Sequence, residues 1–429
     1  MYNQLISKKI KMAVIGLGYV GLPLALEFAK HFSVIGYDIS QRNLKLLQNN
    51  IDPSNELGEE SFKNRDIIFT SNSEELREAG FFIIAVPTPI DKYNKPDLRP
   101  LLSATLTVSN VLSPGDYVIY ESTVYPGCTY EECVPLLERV SGLRMRRDFK
   151  VGYSPERINP GDAEHSLQNT IKIVSACDEE SLDVTAKVYE SVVTAGVHKA
   201  PDIRVAEAAK IIENTQRDVN IALMNELSIL FNRMGINTFD VIKAAATKWN
   251  FVPYTPGLVG GHCIGVDPYY MVHKANELKY HPQMIASGRF VNDSMGGYIA
   301  KQTVKKLLSN DLPLLRAKVL IMGVTYKENV SDIRNSKVAD IVKELQSFRV
   351  AVDVVDPKAD PHAVEEEYQI KLLSQPAGKY HAVIVAVAHR EYIQMTENDF
   401  KQLLAPKGLV VDIRGVFKET IKELRYWSL

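Results

Sequence analysis

The chain has 429 residues, 45% of them apolar and 24% charged, and its 50 basic and 52 acidic side chains leave a net charge of -2. That length suits two or three domains rather than one core, and the composition is that of a globular protein. Near-neutral balance excludes the basic footprint of a nucleic-acid-binding surface, though not a local diphosphate pocket; Met1 to Met12 hold no apolar core of signal-peptide length, and no run anywhere reaches the length of a membrane span.

The first apolar run, Lys11 to Ile15, predicts a strand. It is followed by the glycine turn Gly16-Leu17-Gly18-Tyr19-Val20-Gly21, by helical spacing from Leu22 to Ala29, and by a second strand from Ser33 that ends in Asp38. A glycine triplet between strand and helix is the dinucleotide fingerprint. Gly16 permits the tight turn, Gly18 lets backbone amides approach a pyrophosphate, and Gly21 allows close helix packing at a helix start of partial positive charge. Asp38, 22 residues after Gly16, is placed to accept hydrogen bonds from the adenosine ribose and to repel a 2′-phosphate, which predicts NAD rather than NADP. Tyr19 and Val20 of the turn, Arg42 and Thr88 complete the expected cofactor contacts of this region.

Further apolar runs, Asp66–Thr70, Phe81–Val86, Tyr117–Ser122, Lys150–Tyr153 and Ile171–Ser175, alternate with helical patterns and predict a parallel, doubly wound α/β sheet. Three of them end in polar or proline-marked turns: Pro87 to Pro89, Glu121 to Gly127, and Tyr153 to Gly161. Ligands of open parallel sheets sit at carboxyl strand ends, so these turns are the expected site walls.

From Val205 to Met234 the composition is helical without a proline, about 30 residues or roughly 45 Å, the length of a helix that bridges domains or builds a dimer. Lys210 and Asn214 lie four apart and share a face, with Glu213 and Gln216 turned elsewhere. The segment Gly260-Gly261-His262-Cys263-Ile264-Gly265-Val266-Asp267-Pro268 puts a thiol in a glycine-rich loop with a carboxylate four residues on. That is the setting of a covalent nucleophile. The remaining cysteines, Cys128, Cys133 and Cys177, are too sparse for a disulfide framework, and neither they nor the histidines have metal-site spacing. The expectation is a cytoplasmic protein without a metal.

After Pro313 the α/β pattern restarts with strands at Ala317–Gly323, Val350–Val355, Ala382–Val387 and Leu409–Asp412, and a helix at Lys337–Leu345. This second domain lacks a complete glycine triplet. Its loop Thr325 to Arg334 carries Lys327 and Arg334 at a strand end, where a phosphate is expected.

Taken together the segments resemble the UDP-glucose/GDP-mannose dehydrogenase family. The motifs that carry the likeness are GLGYVGLPLA from Gly16, ESTVYPGCT from Glu121, YSPERINPGD from Tyr153, KIIENTQRDVNIA from Lys210, GGHCIGVDPYY from Gly260 and GVTYKENVSDIRNS from Gly323. Six motifs in order cover nearly the whole chain. His262, where the UDP-glucose branch usually has serine, and Glu156-Arg157-Ile158, where it has a phenylalanine-ended motif, are similar to the branch acting on UDP-N-acetylhexosamines for surface polysaccharide precursors. The resemblance implies two Rossmann-like domains joined by a long central helix: an NAD-binding domain at 1–200, a helical linker and dimerisation part with the thiol loop at 201–312, and a UDP-sugar-binding domain at 313–429.

It also implies roles. Cys263 attacks the C6 aldehyde left by a first oxidation and carries the thioester left by a second. Lys210 and Asn214 hold the C6 oxyanion. Thr123, Glu156 and Asp267 place water and manage protons. Glu156, Arg157, Asn159, Lys210, Asn214, Tyr254, Gly257, Tyr326 and Lys327 line the UDP-sugar, and Thr123 and Arg334 reach the cofactor. Neighbours in an extended segment point apart, so His262 is expected in a substrate-contact or structural role rather than a Cys-His dyad. UDP-N-acetylmannosamine or UDP-glucose are the alternative substrates. A two-electron β-hydroxyacid dehydrogenase and a non-catalytic NAD-binding subunit are more remote, because neither uses Cys263, Asp267 and the second nucleotide-type domain together.

Overall fold

The computed structural model describes residues 1–54, 57–157, 166–309, 315 and 317–429. Asn159, expected among the substrate contacts, lies outside them. The chain divides into two compact units, Met1–Glu213 with Tyr269–Lys279, and Asn214–Pro268 with Tyr280–Leu429.

In the first unit eight strands form one sheet: β1 (Lys11–Ile15), β2 (Val34–Tyr37), β3 (Ile67–Thr70), β4 (Ala79–Ile84), β5 (Tyr117–Tyr120), β6 (Lys150–Tyr153), β7 (Lys172–Ala176) and β8 (Val197–Lys199). The order is β3-β2-β1-β4-β5-β6-β7-β8, so the chain reverses its winding between β1 and β4, where doubly wound sheets open a ligand crevice. Strand β1 pairs in parallel with both neighbours, Val14 standing opposite Gly36 and Ile83. Every residue of β4 and β5 is buried, as parallel strands covered on both faces require. Phe28, Phe81, Ile119 and Tyr189 are at the centre of the core.

One pairing departs from the parallel expectation. β6 and β7 run antiparallel, with Tyr153 opposite Ser175. The three-residue β8 was not anticipated, since Val-His-Lys with two exposed residues has no apolar run to mark it.

The long helix is continuous from Ile203 to Met234, 32 residues. In the second unit β9 (Lys318–Met322), β10 (Ala351–Val355), β11 (Tyr380–Val385), β12 (Leu404–Asp412) and β13 (Arg425–Ser428) form a parallel sheet in the order β10-β9-β11-β12-β13. Apolar clusters cover both faces, one with Ile299, Val319, Ile321 and Ile384, the other with Leu320, Val383, Phe400 and Val410. The helix Gln283–Leu308 escaped the sequence reading because its buried side mixes Gly288, Arg289, Asn292 and Gly296 with apolar residues. Gly296 marks close packing on the helix Val338–Ser347, since a Cβ there would stand 2.8 Å from that of Asp340. Gly323 at the end of β9 has φ +91°, close to the +92° of Gly16 at the end of β1, so both sheets open with the same left-handed turn.

Candidate active site

The glycine turn of the first unit is built as its spacing demands. A Cβ on Gly16 would meet Ala85 O at 2.8 Å, one on Gly21 would meet Gly16 O at 1.8 Å, and one on Gly18 would meet nothing within 4 Å. Gly16 and Gly21 are therefore fixed by packing, while Gly18 faces open space that a side chain would fill. This cradle fits a pyrophosphate. Asp38 holds the turn from below, one oxygen accepting from Leu17 N and the other from Ser40 N, each at 2.8 Å. Tyr19 and Val20 are half-buried in the turn, whereas Arg42 is exposed on the helix Gln41–Leu47.

The strand-end turns are tied to one another. Ser122 Oγ donates to Val86 O at 2.7 Å, Thr88 Oγ1 donates to Thr123 O at 2.7 Å, and Tyr270 Oη donates to Thr88 O at 2.8 Å. Thr123 thus stands at the carboxyl end of β5 with its carbonyl engaged and its side chain half-buried. The buried carboxylate of Glu207 accepts from Gly127 N at 2.6 Å and Thr129 N at 2.9 Å, pinning this turn to the long helix. Burial pushes that carboxyl up to about 7, against the hydrogen bonds that lower it.

One helical turn beyond Glu207, the Lys210 ammonium donates to the Glu156 carbonyl at 2.7 Å. The Glu156 carboxylate accepts from Arg157 N at 2.6 Å and from Lys172 at 3.0 Å. Arg157 is held by Glu213 at 2.7 Å and by Ile171 O at 2.7 Å. Lys172, Glu121 and Glu207 were not expected. A lysine opening a strand and a glutamate on a helix read as solvated charges, and nothing local marks partners 51 to 80 residues away.

In the second unit Asn214 Nδ2 donates to Asp267 Oδ2 at 2.6 Å. The Cys263 carbonyl accepts from Asp267 N at 2.8 Å, which fixes the half-buried cysteine one turn before the helix that Asp267 opens. Residues 261–266 form successive turns rather than an extended segment, so the reason expected for separating His262 from Cys263 is replaced by an observed one. His262 Nδ1 lies 3.1 Å from Arg334 Nη2 and 3.4 Å from Asp332 Oδ2. Burial works to raise the Asp332 carboxyl, but the hydrogen bonds from His262 and Arg334 outweigh it and hold it well below the ordinary range.

Gly261 has φ +83°, and a Cβ there would strike the Tyr326 ring at 2.7 Å, so the thiol loop lies directly on Tyr326. Tyr254 is half-buried at the start of this segment, and Gly257 is clamped by Asn225, whose amide donates to Gly257 O at 3.0 Å and accepts from Gly257 N at 2.8 Å. A small cavity lined by Leu258, Gly260, Tyr326, Lys327, Glu328 and Arg414 opens beside the loop. Lys327 and Arg414 bring two cations to that cavity, Arg414 beside the Glu328 carboxylate at 3.5 Å.

Three family models match the chain in sequence. They are the UDP-glucose/GDP-mannose dehydrogenase family NAD binding domain at residues 10–193, the central domain at 204–294 and the UDP binding domain at 320–419. The chain is 52% identical to Protein CapL of Staphylococcus aureus over 97% of its own length and 99% of that protein. It is 50% identical to a UDP-N-acetyl-D-glucosamine 6-dehydrogenase of Pseudomonas aeruginosa over 97% of this chain and all of the relative (100%). Among solved structures, a UDP-D-ManNAc dehydrogenase from Pyrococcus horikoshii superposes with a TM-score of 0.87 at 30% identity, covering 98% of this chain and 99% of that one. Among the described residues no helix is long and apolar enough to cross a membrane.

Proposed function

Because this chain belongs to the UDP-glucose/GDP-mannose dehydrogenase family, NAD-dependent oxidoreductases of nucleotide sugars, we propose that it oxidises C6 of UDP-N-acetyl-D-glucosamine to the carboxylate. The observation that carries this reading is the full-length likeness to the Pseudomonas enzyme of that name, well above the identity to the mannosamine enzyme. The uronate would serve as a surface-polysaccharide precursor.

The reaction consumes one sugar, one water and two NAD, and releases the uronate, two NADH and three protons. The Gly16–Gly21 turn and Asp38 would hold NAD, which would supply the hydride acceptor for each of the two oxidations. Lys210 and Asn214 steady the negative charge that develops on the C6 oxygen, with their donor groups preorganised in a buried setting. Cys263, as thiolate, adds to the C6 aldehyde and forms a thiohemiacetal. After the second oxidation the carbon is a thioester of Cys263. Water then attacks, the C–S bond breaks, and the thiol is restored. Thr123 orients that water, and Glu156 and Asp267 take up the protons released. Tyr254, Gly257, Tyr326 and Lys327 would bind the UDP-sugar, and Arg334 would be a cofactor contact.

The division of labour follows 1–200 for NAD, 201–312 for the thiol loop and self-association, and 313–429 for the UDP moiety. Val205, Ile212, Leu223, Leu230 and Met234 leave apolar surface exposed along the long helix, which supports a homodimer built on it.

The test is a substrate panel with purified protein. UDP-N-acetylglucosamine should give two NADH per sugar and a higher kcat/KM than its galactosamine and mannosamine epimers or UDP-glucose. One NADH per sugar would sink the four-electron reading, and better turnover of another sugar would sink the substrate.

A further inference from the structure

Lys172 opens β7 with its side chain only 2% exposed, between the carboxylates of two other strand ends. Its ammonium lies 2.6 Å from Glu121 Oε2 and 3.0 Å from Glu156 Oε2. The Tyr189 hydroxyl donates to the other Glu121 oxygen at 2.5 Å. Glu156 is therefore a node. Its carboxylate is shared by Lys172 and the Arg157 amide, and its carbonyl takes the Lys210 ammonium at 2.7 Å.

A buried ion pair gains little for stability over an apolar side chain of the same size. What Lys172 supplies beyond volume is charge, delivered to the carboxylate whose own backbone seats Lys210. We propose that Lys172 is a positioning residue for the reaction: it keeps the Glu156 carboxylate ionised and fixed, and through that residue it holds the strand end on which Lys210 rests. The proposal builds on the proton-handling role given to Glu156 above.

The charge balance supports it. Burial pushes Glu121 up to about 7, whereas for Lys172 burial favours the neutral amine and is outweighed by the two carboxylates, which hold it charged. Among the described residues, the groups bonded at this cluster are Glu121, Glu156 and Tyr189, with Lys210 on the Glu156 backbone and the Arg157–Glu213 ion pair beside it. Without the cation, two carboxylates would confront each other in a dry site, and a proton would enter before Glu156 could ionise.

Lys172→Met should lower kcat for UDP-N-acetylglucosamine at pH 7 by about 10- to 100-fold and move the acid limb of the kcat profile up by about one unit or more, with both KM values within about threefold. The double variant Glu121→Gln with Lys172→Met removes the confronting charge, so its Tm should recover toward wild type and its acid limb should move part of the way back, while its kcat stays lowered because the Lys172 ammonium no longer fixes the Glu156 carboxylate. A double variant with wild-type kcat and an unmoved profile would overturn the proposal. Glu156→Gln, measured alongside, separates the two readings. If it keeps wild-type kcat, the role of Glu156 falls and this proposal with it. If it is inactive while the double variant behaves as wild type, only the Lys172 proposal falls.

Discussion

Asn214 donates its buried side-chain amide to the Asp267 carboxylate at 2.6 Å, and the Asp267 backbone in turn donates to the Cys263 carbonyl at 2.8 Å. A charge-assisted bond thereby ties the thiol loop to one position of the long helix. Asn214→Ala should leave Asp267 short of a donor and reduce kcat on the order of 100-fold. Asn214→Asp should cost more, since it sets a second carboxylate against Asp267. Steady-state kinetics decide, and an Asp variant faster than the Ala variant would contradict this account.

Cys263→Ala should abolish uronate formation while binding of NAD and UDP-N-acetylglucosamine by titration calorimetry stays within a few fold, because the thiol is needed for bond making and not for affinity. Product analysis showing uronate at the wild-type rate would remove Cys263 as the nucleophile.

Asp38→Asn keeps an acceptor for Leu17 N or Ser40 N but loses the charge. The NAD to NADP ratio of kcat/KM should narrow by about tenfold or more, since the repulsion of a 2′-phosphate is gone. An unchanged ratio would mean that Asp38 holds the turn and does not read the ribose.

Gly261→Ala forces a left-handed backbone on a side chain and drives its Cβ to 2.7 Å from the Tyr326 ring. Displacement of the thiol loop should reduce kcat/KM for the sugar by about 100-fold. NAD affinity, measured by fluorescence quenching, should be unchanged, and a parallel loss of NAD binding would point to general unfolding instead.

The Glu207 carboxyl is raised in the fold from an ordinary value near 4.5 to about 7, chiefly by burial. Between those values the folded chain binds the extra proton, so this group's stabilising contribution is full below about pH 4.5 and is lost as pH rises through 7. The loss amounts to roughly 3 kcal/mol, at about 1.4 kcal/mol per pKa unit. Tm followed from pH 5 to pH 8 should decline less steeply in Glu207→Gln than in wild type. Parallel slopes would show that Glu207 does not titrate in this range.

Read by itself, the sequence determined those features whose chemistry is contiguous. The strand, the turn Gly16–Gly21 and Asp38 lie within one βαβ stretch, and the thiol loop holds Cys263 and Asp267 within five residues. Local backbone demands write themselves into adjacent residue types, above all glycine, so those parts were legible. Helical periodicity likewise placed Lys210 and Asn214 on one face, and only the structure showed that both are buried. Tertiary structure alone decided the antiparallel return of β7, the glycine-interrupted helix Gln283–Leu308, and the partners Glu121, Lys172 and Glu207 that hold the expected residues in place. Such partners meet because strand ends far apart in the chain are brought together by sheet order. A charge buried that way leaves no periodic trace, since the residue that makes its burial affordable sits dozens of positions away.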